Sequence, residues 1–177
     1  MLANLKSLLS ANLESIQTVT IDELRNLRSQ CTHAEGEVSF ARRITQGRLD
    51  IVGHEVRRRA GDEVEPMLDG MLFDIPDILS DRKSSPGKGK RPTAVTEPGE
   101  TALLLTDQLN TIVSPTDLAN VNKVSDSELR QLVTALRNFE TELSTNRRQL
   151  HERLDTIQGE IVRRYRDGEA SVDTLLE

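Results

Sequence analysis

The sequence predicts an all-α fold, an antiparallel two-helix coiled coil with short accessory helices and a long, partly disordered connection. Three observations carry this reading. Apolar residues recur at spacings of three and four along two long stretches, each stretch opens on the same helix-start signal, and aromatic residues are scarce. With no Trp and only Phe40, Phe73, Phe139 and Tyr165, the chain lacks the side chains from which a compact globule draws much of its buried area. High charge with few aromatics favours elongated helices or partial disorder.

Residues 1–17 form a short N-terminal segment, weakly amphipathic from Leu2 to Leu13. The first coiled-coil helix lies within residues 18–63. Thr20 and Glu23 make a capping box, in which the hydroxyl accepts from the third backbone N–H and the carboxylate reaches back. Its seam runs Leu24, Leu27, Cys31, Ala34, Val38, Ala41, Thr45, Leu49, Val52, Val56. Gly36, Gly47 and Gly53 interrupt this helix, and each interior Gly costs around 1 kcal/mol relative to Ala. The first helix is therefore expected to be the weaker one, with glycines that either admit a close neighbour or are tolerated defects.

The connection, residues 64–122, has three parts. An apolar cluster over 64–79 contains Met67, Leu68, Met71, Leu72, Phe73, Ile75, Ile78 and Leu79, broken by Pro66 and Pro76. Residues 80–99 hold Pro86, Pro92 and Pro98 amid Lys, Gly and Ser, the composition of a disordered linker. Residues 100–113 suit a short amphipathic helix ending near Ser114-Pro115. The N-terminal and central apolar segments have no evident core to enter, which makes them candidates for docking on a partner.

The second coiled-coil helix, within residues 123–167, repeats the first at an offset of 105. Ser125 and Glu128 form its capping box, and its seam runs Leu129, Leu132, Leu136, Phe139, Leu143, Asn146, Leu150, Leu154, Ile157, Ile161. Each helix would span about 40 residues, roughly 60 Å. Residues 168–177 are a C-terminal tail.

Five polar positions also recur at this offset. Glu35, Ser39, Arg42, Gln46 and Asp50 correspond to Glu140, Ser144, Arg147, His151 and Asp155. Gaps of four, three, four and four keep five side chains within roughly 80° of helical arc. Each set is one polar stripe beside the seam, in e and b positions. In a parallel pair the stripes would lie on opposite flanks. In an antiparallel pair they share one flank, with an approximate two-fold axis between them, and the long connection permits that return. It equally permits two chains to exchange helices.

Such a surface suits a ligand with two related halves. Arginine pairs bidentately with guanine O6 and N7, while carboxylates accept from guanine N1–H and the N2 amino group. Ser, Gln and His suit phosphate and ribose oxygens. Arg43 and Arg148, beside the stripes, and Arg48 and Arg153 supply further positive charge for phosphates. A symmetric guanine dinucleotide fits this inventory.

The pattern Glu-x3-Ser-x2-Arg-x3-Gln-x3-Asp, once per helix of a two-helix coiled coil, resembles the RsiG-type anti-sigma factors of actinobacteria. The resemblance covers roughly residues 20–62 and 125–167. It implies that Glu35, Ser39, Arg42, Gln46 and Asp50 form one half of a cyclic di-GMP site, and Glu140, Ser144, Arg147 and Asp155 the other. His151 departs from the family's Gln and loses the amide's paired donor and acceptor. The resemblance further implies a ligand-loaded anti-sigma factor that sequesters WhiG, a sporulation sigma factor, and releases it when cyclic di-GMP is low.

Other features bound the alternatives. Lys+Arg 23 against Asp+Glu 29 gives a net charge of −6, which argues against direct DNA binding. Cys31, the single cysteine, excludes an intramolecular disulfide and reads as a small core residue. Apolar runs such as Ala102 to Leu105 are too short for a membrane span, so the expected location is cytoplasmic. Arg58-Arg59 and Arg163-Arg164, near the helix C-termini, suit the helix dipole. His33 and His54 lack metal-ligand partners at useful spacing, and no nucleophile, base and orienting group stand in a recognisable grouping. An enzyme is not expected. A structural coiled-coil adaptor that binds a protein partner without nucleotide is the alternative.

Overall fold

The computed structural model describes residues 2–10, 16–61 and 98–168. Its elements are α1 (Leu2–Ser10), α2 (Ile21–Ala60), α3 (Glu100–Ile112), α4 (Pro115–Ala119) and α5 (Asp126–Arg166), with 3-10 turns at Ile16–Thr18 and Val121–Lys123. Among the described residues there is no strand. The apolar cluster 64–79 lies outside them, as does nearly all of the linker 80–99.

Both capping boxes form as their residue types dictate. Glu23 N–H donates to Thr20 Oγ1 and Thr20 N–H to Glu23 Oε2; Ser125 and Glu128 do the same for α5. Gly61 closes α2 at φ 81°, a left-handed conformation that favours glycine.

The long helices α2 and α5 pack antiparallel. As residue numbers rise along one they fall along the other: Arg28 meets Gln158, Arg42 meets Glu140 and Arg59 meets Asp126. The predicted seams meet in the core. Leu24, Cys31, Val38, Ala41 and Val52 are buried against Leu129, Leu136, Leu143, Leu150 and Ile157. Thr45, wholly buried in this seam, satisfies its hydroxyl by donating to Ala41 O at 2.9 Å. A Cβ at Gly36 or Gly47 would meet nothing within 4 Å, so these glycines do not admit a close neighbour.

The N-terminal segment does find a core, contrary to the sequence expectation that it had none. Leu5 and Leu8 of α1 are buried in the same cluster as the seams. The segment 100–113 joins it through Leu105, Leu109 and Val113, and Ala102, on the same helical stripe, is also buried. Helices α1 and α3 thus extend the core beyond the two seams.

The 105-residue repeat extends to the ends of the pair. Glu55 gathers Arg58 and Arg59, with contacts of 2.6–2.8 Å, and Arg59 continues to Val124 O at 2.7 Å, Asn122 O at 3.0 Å and Asp126 at 2.7 Å. At the opposite end Glu160 gathers Arg163 and Arg164, and Arg164 donates to Ile16 O and Gln17 O at 3.0 Å. The last turn of each long helix therefore holds the 3-10 turn that leads into the other. Paired arginines hold the Glu55 and Glu160 carboxyls at about 2.

Candidate functional site

The two polar stripes lie on one flank of the helix pair and interlock. Ser39 Oγ donates to Glu35 Oε1 at 2.7 Å, and Ser144 Oγ to Glu140 Oε1 at 2.8 Å, each one turn along its own helix. Across the interface Arg147 Nε donates to Glu35 Oε1 at 2.9 Å and to Ser39 Oγ at 3.0 Å. Reciprocally, Arg42 Nη1 donates to Glu140 Oε1 at 3.2 Å. Gln46 Nε2 approaches the same oxygen at 3.4 Å, and its counterpart His151 Nε2 stands 3.3 Å from Glu35 Oε1. Apart from the Arg147–Ser39 bond, these contacts map onto one another by the same 105-residue shift, so the array has an approximate two-fold axis.

The array is partly accessible. Glu35, Ser39, Arg42, Gln46, Glu140, Ser144 and Arg147 are half-buried, while His151 is exposed. Burial pushes the Glu35 carboxyl up, but hydrogen bonds from Ser39 and Arg147, with the positive charge nearby, outweigh it and hold the group below its ordinary value. The equivalence is imperfect at the arginines, because Arg42 Nε is buried without a hydrogen-bond partner.

Asp50 and Asp155 lie one turn beyond Gln46 and His151, on the exposed surface. Arg43 and Arg148 are exposed beside the array. Arg48 and Arg153 are a different matter, and the expectation that they supply charge for phosphates fails. Arg48 is buried and donates to Val113 O at 2.6 Å and Asn110 Oδ1 at 2.8 Å at the C-terminal end of α3. Arg153 donates to Leu9 O at the C-terminal end of α1. Both guanidiniums complement helix dipoles. Each lies two residues past a stripe position, about 200° around the helix, which turns it away from the stripe and towards an accessory helix.

Sequence reasoning also passed over Glu37, a buried carboxylate that accepts from Thr101 N–H at 3.2 Å at the start of α3. No repeat marks it. Its place one residue before the seam position Val38 is no signal, because Glu23, Glu128 and Glu142 precede seam residues in the same way and are exposed.

A face of this kind offers donors and acceptors in alternation. Each carboxylate faces a guanidinium from the opposite helix, and a planar heterocycle with an acceptor edge beside a donor edge can take the place of that direct contact. Among the described residues no three His, Cys, Asp or Glu side chains are grouped to hold a metal ion, and no helix is long and apolar enough to cross a membrane.

A protein-family model described as RsiG-like matches residues 10–78 and 115–177, taking in both long helices and both stripes. No curated protein matches the chain.

Proposed function

From the premise that this chain belongs to the RsiG-like family, with its anti-sigma factor role, we propose that it binds cyclic di-GMP on the duplicated stripes and, when loaded, sequesters a WhiG-type sporulation sigma factor. The observation that carries this reading is the reciprocal array Glu35–Arg147 and Glu140–Arg42, at 2.9 and 3.2 Å on one flank.

Guanine presents O6 and N7 as acceptors to a guanidinium, and N1–H and the N2 amino group as donors to a carboxylate. Those are the complements of the groups that now satisfy one another across the interface. Ligand entry therefore exchanges an internal ion pair for two sets of charge-assisted hydrogen bonds and leaves no charge unpaired. In this reading Ser39, Ser144, Gln46 and His151 would meet ribose and phosphate oxygens, and Arg43 with Arg148 would add positive charge for the phosphates. Two half-sites suit the two guanines of one nucleotide or a self-stacked pair of nucleotides.

Sequestration follows from linkage. If bound nucleotide completes the surface that the sigma factor contacts, the sigma factor raises nucleotide affinity by the same factor. The test is calorimetric titration of cyclic di-GMP into the protein alone and premixed with a WhiG-type sigma factor, with cyclic di-AMP as the control. Guanine-specific binding that tightens in the premix supports the proposal. Absence of heat in both samples overturns it in favour of a coiled-coil adaptor whose stripes are ion-paired surface.

A further inference from the structure

The helix that carries the first stripe is the weaker of the two, with Gly36, Gly47 and Gly53 in its interior. It is also the one that α3 lies along. The N-terminal end of α3 meets Glu37, whose carboxylate accepts from Thr101 N–H at 3.2 Å, and its C-terminal end meets Arg48, which donates to Val113 O at 2.6 Å and Asn110 Oδ1 at 2.8 Å. A carboxylate at the positive end of a helix and a guanidinium at its negative end are each favourable. Both side chains are buried. The fit is close: a Cβ at Gly99, the residue before α3, would stand 2.1 Å from Glu37 Oε1. Ala102, Leu105 and Leu109 fill the space between the two anchors.

These anchors interleave with the stripe. Glu37 lies between Glu35 and Ser39, and Arg48 between Gln46 and Asp50, so the stretch of α2 clamped by α3 is nearly the stretch that carries the motif. Helix α5 has no such two-ended clamp among the described contacts; α1 reaches it through Arg153 and Leu9 O. We infer that α3 is a brace whose anchors Glu37 and Arg48 are positioning residues: by clamping the glycine-containing helix over residues 37–48, they hold Glu35, Ser39, Arg42 and Gln46 in register with the opposite stripe.

The inference rests on the nucleotide reading for its affinity arm alone, and the test keeps the two apart. Arg48→Gln, Glu37→Gln and the milder Asn110→Ala, which removes only a partner of Arg48, are prepared with and without Gly36→Ala/Gly47→Ala. Hydrogen–deuterium exchange over residues 35–50 of the full chain is read without ligand, and cyclic di-GMP affinity is read by calorimetry. The expected result is faster exchange in this stretch for the anchor variants and nucleotide binding weaker by roughly tenfold, the factor corresponding to about 1.4 kcal/mol. The alanine pair, which raises helix propensity without touching an anchor, restores both readouts. Three results overturn the brace: unchanged exchange in the anchor variants, unchanged affinity despite faster exchange, or a loss of affinity that the alanine pair leaves in place, since that would mark Arg48 as acting on ligand directly. If the unsubstituted protein binds no cyclic di-GMP, the nucleotide reading falls and the exchange pattern decides the brace by itself. Should Arg48→Gln fail to fold, Asn110→Ala carries the same comparison.

Discussion

Arg42 and Arg147 occupy equivalent places 105 residues apart, yet they hold the opposite carboxylates through different nitrogens. Arg147 uses Nε, which is shared between Glu35 and Ser39; Arg42 uses Nη1 and leaves its own Nε buried and without an acceptor. A buried unsatisfied donor is costly, and a guanine acceptor offered to it would recover that cost. If the stripes bind nucleotide as proposed, the half-site around Arg42 is expected to gain more from ligand than its twin.

Replacing either arginine by Ala is expected to weaken cyclic di-GMP binding by roughly 10–100-fold, the range of one lost bidentate contact. Arg42→Ala should cost more than Arg147→Ala. Calorimetry on the two variants, alone and premixed with sigma factor, checks the order. Equal losses would remove the claim of inequivalent halves, and an unaffected sigma complex in either variant would break the coupling.

The carboxyls of Glu55 and Glu160 sit at about 2, well below the ordinary glutamate value of 4.5. A lowered folded-state pKa means that the stabilisation is complete above the unfolded value and is lost as pH falls from there through about 2. Urea midpoints measured from pH 7 down to pH 2 should therefore drop mainly below pH 4.5. Glu55→Gln and Glu160→Gln should lower the midpoint at pH 7 and flatten that acid limb. An acid limb as steep in the double variant as in the unsubstituted protein would assign the loss to other carboxylates.

Glycine substitutions should divide by location. Gly36→Ala and Gly47→Ala, where a Cβ meets open space, are expected to stabilise the fold by about 1 kcal/mol each. Gly99→Ala pushes a methyl group into the Glu37 carboxylate and should destabilise it. Thermal midpoints of the three variants give the comparison, and a stabilising Gly99→Ala would contradict the close approach of α3.

Arg164→Ala removes donors from Ile16 O and Gln17 O and leaves Glu160 with Arg163 alone. The thermal midpoint should fall by several degrees, while Val162→Ala, on an exposed neighbour, should change it little. Similar midpoints for both would make the arginine a surface feature.

Much of this architecture was legible because coiled coils write themselves in periodic form. Leu24, Val38, Leu136, Leu143, Leu150 and Ile157 belong to seams spaced at three and four, and all are buried. The repeat likewise identified both stripes, and an antiparallel return was enough to bring Glu35 to Arg147 and Arg42 to Glu140. Contacts made by single charged residues to the ends of other helices leave no period. Arg48 and Arg153 look like any arginine on a coiled-coil flank until α3 and α1 are in place, and Glu37 looks like a solvated acid. The apolar residues of α1 showed an amphipathic stripe but not its destination, because a docking partner on the same chain and one on another chain ask for the same side chains.

The paired grips of Arg59 and Arg164 bear on lifetime as well as on geometry. An open coiled coil comes apart from its tips, where the terminal turns fray and the opening travels inward. Here each tip is fastened to the turn that launches the opposite helix, so separation cannot start as a small, cheap excursion. It must begin by releasing a cluster of charge-assisted bonds together, which raises the barrier to unzipping. On the proposed nucleotide reading, ligand exchange at the stripes is therefore expected to be faster than separation of the two helices.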